Sequence, residues 1–211
     1  MTVIKTPRQP SRLTMLQVAL QVFREKGHAA TTVDEICNRA GVTKGSFFHH
    51  FKNKQDLVLS AVDYWNEFTG ELFAHAAYHH QADPLDRLLG YVDLRIAIVK
   101  GEVPEFTCLL GTLVQETYHT HPEVRSACDA GLSAHIAKLS TDVEAAKALY
   151  AADASWSADS VGDFIQVVLQ GAFIFAKARQ QSNVVLESLQ HLRCYLSLLF
   201  NRPQKFEEIK S

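Results

Sequence analysis

An all-α fold of roughly nine helices follows from three features of this 211-residue chain. Apolar residues recur at helical spacing along most of its length. No run alternates with β-branched enrichment, so no strand is expected. Prolines stand where helices begin. Pro84, Pro104 and Pro122 each lead into a periodic stretch, Pro203 follows the last one, and Pro7 and Pro10 lie in the N-terminal arm.

The elements follow in order. Leu13, Leu16, Val18, Ala19, Leu20, Val22 and Phe23 predict a first helix that stops near Gly27. Val33, Ile36, Cys37 and Ala40 predict a short second helix, with Thr32 as its N-cap. Thr43 caps a third short helix that reaches about His50. A long helix is expected from Lys54 to His80. Five more are expected near 84–100, 104–118, 122–152, 159–181 and 184–201, with connections at 151–158 and 181–183.

Composition limits the class. With 47% apolar and 21% charged residues the chain is an ordinary folded protein, not a disordered or collagen-like one. No apolar run is read as reaching the roughly 18 residues of a membrane span, and MTVIKTPRQPSR has no apolar core for a secretory signal. Cys37, Cys108, Cys128 and Cys194 are far apart, without C-x-x-C. That predicts a reducing, cytoplasmic setting and argues against a disulfide framework or a zinc finger.

The net charge of -2 conceals two opposed regions. Residues 1–54 hold nine Lys/Arg against three acids, a charge of +6, and residues 55–211 hold 12 against 20, a charge of -8. A basic head on an acidic body predicts that the head meets a polyanion, and the expected division is 1–54 and 55–211.

The segment that gives this charge a use is TVDEICNRAGVTKGSFFHHFKNK, residues 32–54. Its two short helices meet at Ala40-Gly41-Val42-Thr43, where glycine supplies a left-handed backbone. Ile36, Cys37, Val42, Phe47 and Phe51 are spaced to face inward. This is the layout of a helix-turn-helix, whose second helix enters the major groove. Lys44 stands at that helix's start, and Gly45 permits close backbone approach. Ser46, His49 and His50 offer hydrogen bonds, Lys52 and Lys54 offer cations, and Thr32 and Thr43 offer hydroxyls. The amides that open the helix at Lys54 also attract phosphate.

The run F-x-x-x-G-x-x-x-x-T-x-x-x-I-x-x-x-A-G-V-x-x-G-x-x-x-x-H-F-x-x-K is carried by Phe23, Gly27, Thr32, Ile36, Ala40, Gly41, Val42, Gly45, His50, Phe51 and Lys54. Over roughly residues 10–60 the chain resembles the tetracycline-repressor (TetR) family of transcription regulators. The resemblance implies a homodimer on a double-stranded operator with two half-sites, and a small-molecule inducer held in the C-terminal body. It implies phosphate contacts at Thr32, Thr43, Phe48, His49, His50 and Lys54, and base contacts at Lys44 and Gly45. The family often has tyrosine at the place of Phe48, so a polar contact there is not expected.

For the body, Trp65, Phe68, Leu72, Tyr91, Leu94, Ile98, Phe106, Leu109 and Leu113 are candidate pocket walls, fewer than half of them touching ligand. Cys108, Thr112, Gln115, Glu116 and His135 are the polar candidates. Cys108 has two readings: a buried packing thiol, the commoner case, or a reactive thiol near a helix start. The segment around it also resembles a subset of the family with Cys in a G/T-C-L-x motif, some of which sense reactive species. The dimer surface is expected on Phe164, Val168 and Ala172, and on Leu189, Leu192 and Leu196. His75 and His79 are spaced for a metal but lack an evident third ligand, so no metal or cofactor is expected. No Walker loop, G-x-S-x-G, H-E-x-x-H or dinucleotide glycine pattern occurs, which argues against an enzyme. The competing reading is a soluble helical small-molecule-binding protein without operator binding.

Overall fold

A computed structural model describes residues 11–202; Lys5 and Arg8 of the basic arm, and Pro7, Pro10 and Pro203, lie outside the described residues. Ten α-helices account for most of these, with no strand among them. They are α1 (Ser11–Lys26), α2 (Val33–Ala40), α3 (Lys44–His50), α4 (Lys54–Ala74), α5 (Pro84–Ala97), α6 (Val103–Phe106), α7 (Leu109–Thr117), α8 (Pro122–Tyr150), α9 (Ala158–Arg179) and α10 (Asn183–Leu199).

Two predicted helices are shorter than expected. The helix from Lys54 ends at Ala74 rather than His80, and a 3-10 turn covers Ala77–His80. The Phe73 carbonyl accepts from the Ala76 amide at 3.2 Å, the His79 ring lies 2.9 Å from it and the Tyr78 hydroxyl donates at 3.5 Å. The stretch 104–118 is two helices, α6 and α7. Thr107 is extended there (φ -85, ψ 157), so the ladder breaks although the apolar spacing continues.

The chain forms two compact units. The first holds the described residues up to Phe68 with Leu109–Gly131, and the second holds Thr69–Cys108 with the described residues from Leu132. In the first, α1 packs on α2, α3 and α7. Met15, Phe23, Ile36, Phe47, Phe51, Leu57, Leu109 and Leu113 are fully buried. Truncating a phenylalanine such as Phe47 in this layer costs about 3–5 kcal/mol of stability.

In the second unit α10 packs on α9 and α5. By length and composition α9 is apolar enough to cross a membrane, which its sequence was not expected to allow. Its Val161, Ile165, Leu169, Phe173 and Ala176 are buried in the core of this unit. Ala172, Leu189, Leu192 and Leu196, expected at a dimer surface, are buried in the same core. Their spacing marks the apolar side of each helix, and α10 packs on both α9 and α5.

Candidate nucleic-acid interface

The turn between α2 and α3 is built as its residues require. Gly41 has φ 64 and ψ 35, and its amide returns to the Asn38 carbonyl. Thr32 Oγ1 accepts from the Glu35 amide at 3.2 Å and Thr43 Oγ1 from the Ser46 amide at 3.1 Å. Each such cap holds a helix start by about 1 kcal/mol. Ile36, Cys37, Phe47 and Phe51 point inward as expected, and Val42 is half-buried. The platform under α3 is thus capped and packed by the chain's own residues.

What α3 leaves outward is mostly polar, with one apolar ring. Lys44, Gly45, Phe48 and His49 are exposed, as are Thr32, Thr43 and Lys52; Ser46 is half-buried. Phe48 is 57% exposed, a large apolar group with no covering neighbour on its open side. A methyl placed on Gly45 would meet only Thr43 Oγ1, at 3.7 Å.

The charges are partly matched within the head. Glu25 pairs with Arg39 at 2.6 Å, and Glu35 with Arg39 at 3.0 Å and with Lys26. Lys44 pairs with Asp34 at 2.7 Å, which raises its pKa. Such exposed pairs contribute little to stability. Asp34 keeps the Lys44 ammonium beside α2 until a stronger acceptor arrives.

Two other candidates are built into the head. His50 shares a 2.7 Å hydrogen bond with Ser11 Oγ, tying α3 to the start of α1. Lys54 Nζ donates to the carbonyls of His28 and Thr31, both at 3.0 Å, and burial lowers its pKa. The cation thus ties the α1–α2 loop to the start of α4. Removing it leaves two carbonyls without this donor. Lys54→Met is expected to lower unfolding stability by about 1–3 kcal/mol, measured as a lower urea midpoint. Operator affinity should fall for every sequence, whereas Lys44→Ala should change the preference between sequences.

Glu116, a pocket candidate, contacts the loop after α1. Its Oε2 accepts from the Ala29 amide at 3.0 Å, and its carboxylate lies over Gly27, whose φ is +82. Trp65 lies under the Arg24 guanidinium at 5.0 Å. Trp65, Phe68, Thr112 and Glu116 all belong to the first unit, and Phe68 is 51% exposed.

The second unit brings Tyr91 and His135 together, with hydroxyl and Nε2 2.9 Å apart. Phe106 and Cys108 are half-buried there, and Cys108 immediately precedes α7. Sequence reasoning missed two further members of the Tyr91 cluster, Arg95 and Gln166, which both reach the hydroxyl. The available signal was a polar residue at helical spacing from buried ones: Arg95 four residues after Tyr91, and Gln166 beside Ile165.

Burial and the nearby charges of Arg95 and Lys138 push the His135 pKa down to about 3. The unfolded chain, with a histidine near 6.5, then binds more protons than the folded one between those values. Stability from this group is complete above pH 6.5 and declines as pH falls toward 3. Between pH 7 and 5 the loss is about 2 kcal/mol. The stability difference between wild type and His135→Gln, from urea unfolding at both pH values, should narrow by that amount.

The outward apolar surface of the second unit includes Phe164 from the expected dimer residues, together with residues not singled out from sequence. Val167, Phe175 and Leu198 are 65%, 53% and 62% exposed, and Phe164 and Tyr195 are about 40% exposed. The Phe164 and Tyr195 rings meet at 4.9 Å and join the α9 and α10 parts of this surface. Nothing stands within 4 Å of a methyl placed on Gly171.

Comparison with known proteins matches both regions. A family model of bacterial regulatory proteins of the tetR family matches residues 15–61, and one of the tetracyclin repressor-like C-terminal domain matches residues 84–192. Transcriptional regulator AcuR of Cereibacter sphaeroides is 26% identical over 164 residues, 78% of this chain and 75% of that protein. The uncharacterized HTH-type transcriptional regulator YxaF of Bacillus subtilis is 24% identical over 185 residues, 86% of this chain and 92% of that protein. A crystal structure of regulatory protein TetR from Rhodobacter sphaeroides has the same fold. Its TM-score is 0.79 at 24% identity, covering 90% of this chain and 98% of that one.

Proposed function

The chain belongs to the tetR family of bacterial regulatory proteins, DNA-binding transcriptional regulators, and from that premise we propose how it binds and releases its operator. It is a homodimeric repressor rather than an enzyme. Two copies of the 1–54 head read two half-sites of a palindrome, and a small molecule taken up by the 55–211 body releases them. As a regulator of bacterial transcription it works in the cytoplasm.

One observation carries the reading: the outward face of α3 on a capped, packed platform. Lys44 and Gly45 are the base-reading pair. Thr32, Thr43, Ser46, Phe48, His49 and Lys52 stand where the sugar-phosphate chains pass, with Phe48 packing on them through its ring. His50 and Lys54 support the reading head from within. Lys44 reaches a base edge by exchanging Asp34 for it, since a guanine offers two acceptors in the major groove. The dimer forms through the outward surface of α9 and α10 around Val167, Gly171 and Leu198.

The test is fluorescence anisotropy with duplex from upstream of the protein's own gene, against random duplex of equal length. Preferential binding that weakens linearly on a log–log plot against salt is expected. Absence of any preference at low ionic strength would favour a small-molecule-binding protein without an operator.

A further inference from the structure

The cluster around Tyr91 contains a cation, Arg95, with no ion-pair partner among the described residues. Arg95 lies one turn beyond Tyr91 on α5 and is half-buried. Its Nε donates to the Tyr91 hydroxyl at 2.8 Å, and one terminal nitrogen lies 3.2 Å from His135 Nε2. Its guanidinium stacks 4.3 Å from the centre of the Phe73 ring and 5.2 Å from that of Tyr91. Gln166 Nε2 donates to the same hydroxyl at 3.3 Å.

The acids nearby are committed elsewhere. Asp142 pairs with Arg87 and Asp93 with Arg193, both at 2.7 Å, and Asp86 pairs with Arg202. Among the described residues no carboxylate comes within ion-pair distance of Arg95. His135 supplies no negative charge, and Lys138 adds a positive one. A half-buried guanidinium held by neutral groups carries an uncompensated desolvation cost. Its stacking and two hydrogen bonds fix its plane, yet most of its five N–H donors have no partner in the cluster.

Beside this cluster is an open cavity of about 560 Å³, lined by Leu72, Ala76, Ala77, Tyr78, Gly90 and Leu94 among others. Tyr78 joins the two, because its ring also meets Tyr91 edge to face at 6.1 Å. The lining is largely apolar.

We propose that Arg95 is the anchor for a small organic carboxylate, held through the remaining guanidinium donors with its apolar part against the Tyr78 wall. A planar guanidinium matches a carboxylate with two parallel hydrogen bonds. Tyr91, His135 and Gln166 hold Arg95 in place. This rests on the small-molecule response proposed above and specifies the class of molecule.

The test uses the full chain, with benzoate and butyrate as probes and benzamide and butyramide as uncharged matches of the same shape. Thermal unfolding and calorimetric titration are measured for wild type, Arg95→Gln and Arg95→Lys. Both carboxylates should bind saturably and raise the unfolding temperature, and the amides should not. Arg95→Gln should lose at least tenfold in carboxylate affinity, and Arg95→Lys should fall between. Amides that bind as well as the acids, variants that bind like wild type, or no carboxylate binding would each overturn the proposal. If Arg95→Gln fails to fold, the acid–amide contrast and Arg95→Lys decide. Operator preference is measured on the same samples. Operator preference without carboxylate binding defeats this inference alone, and carboxylate binding without operator preference defeats the DNA reading alone.

Discussion

Replacing Gly45 with alanine or leucine is expected to separate folding from DNA binding. Gly45 stands in the first turn of α3, and its missing side chain faces open space apart from Thr43 Oγ1 at 3.7 Å. Alanine is a better helix former than glycine by up to about 1 kcal/mol. Gly45→Ala should therefore raise the urea midpoint slightly or leave it unchanged. If the α3 backbone closes on DNA at this point, the added carbon occupies the space the duplex needs. Operator affinity should drop at least tenfold for alanine, about 1.4 kcal/mol, and about a hundredfold for leucine. A folded Gly45→Leu protein with wild-type operator affinity would place the duplex on another face of the head.

The second large effect is expected from a charge on the outer face of α9 or α10. Val167→Glu and Leu198→Glu alter residues that are 65% and 62% exposed, so the single chain should fold normally. In a symmetric dimer each substitution occurs twice, and both carboxylates would be buried without partners. The protein should elute as a monomer at micromolar concentration in size-exclusion chromatography with light scattering. Operator affinity should fall by a factor of 100 or more, because one head loses the tether to the other. Leu192→Ala makes the contrasting control. Leu192 is buried in its own core, so this change should cost about 2–5 kcal/mol of folding stability without selectively dissociating the dimer. A dimer that survives both glutamates would move the interface elsewhere.

The fold was legible wherever neighbouring residues settle the outcome. Thr32 and Thr43 cap the helices they precede, and Gly41 takes the left-handed turn. Pro84 lies at the start of α5. These are local effects, set by backbone sterics and by amides within three residues of the capping oxygen. The break between α6 and α7 was not legible, because apolar periodicity runs across Thr107 while the hydrogen-bond ladder does not.

The candidate site divides on the same line. The exposed face of α3 could be listed from its seven residues, since helical geometry sends Lys44 and Phe48 outward once Phe47 is taken into the core. Lys54 and Glu116 could not be placed that way. Lys54 serves carbonyls 23 and 26 positions away, and Glu116 an amide 87 positions away. Nothing in their local spacing tells a lysine or glutamate that meets solvent from one that ties a loop.

From its amino acids alone, this chain is committed to an all-helical fold with a basic helix-turn-helix at its start, because capping, turn geometry and apolar period act over a few residues. Tertiary packing decided that Leu189, Leu192 and Leu196 are covered by the chain's own helices while Val167 and Leu198 are left outside. Among the described residues it also brought no carboxylate within ion-pair distance of Arg95, although acids stand on the same helix. Periodicity says which side of a helix is apolar; which neighbour covers that side, and which charges meet, depends on segments up to 119 residues apart.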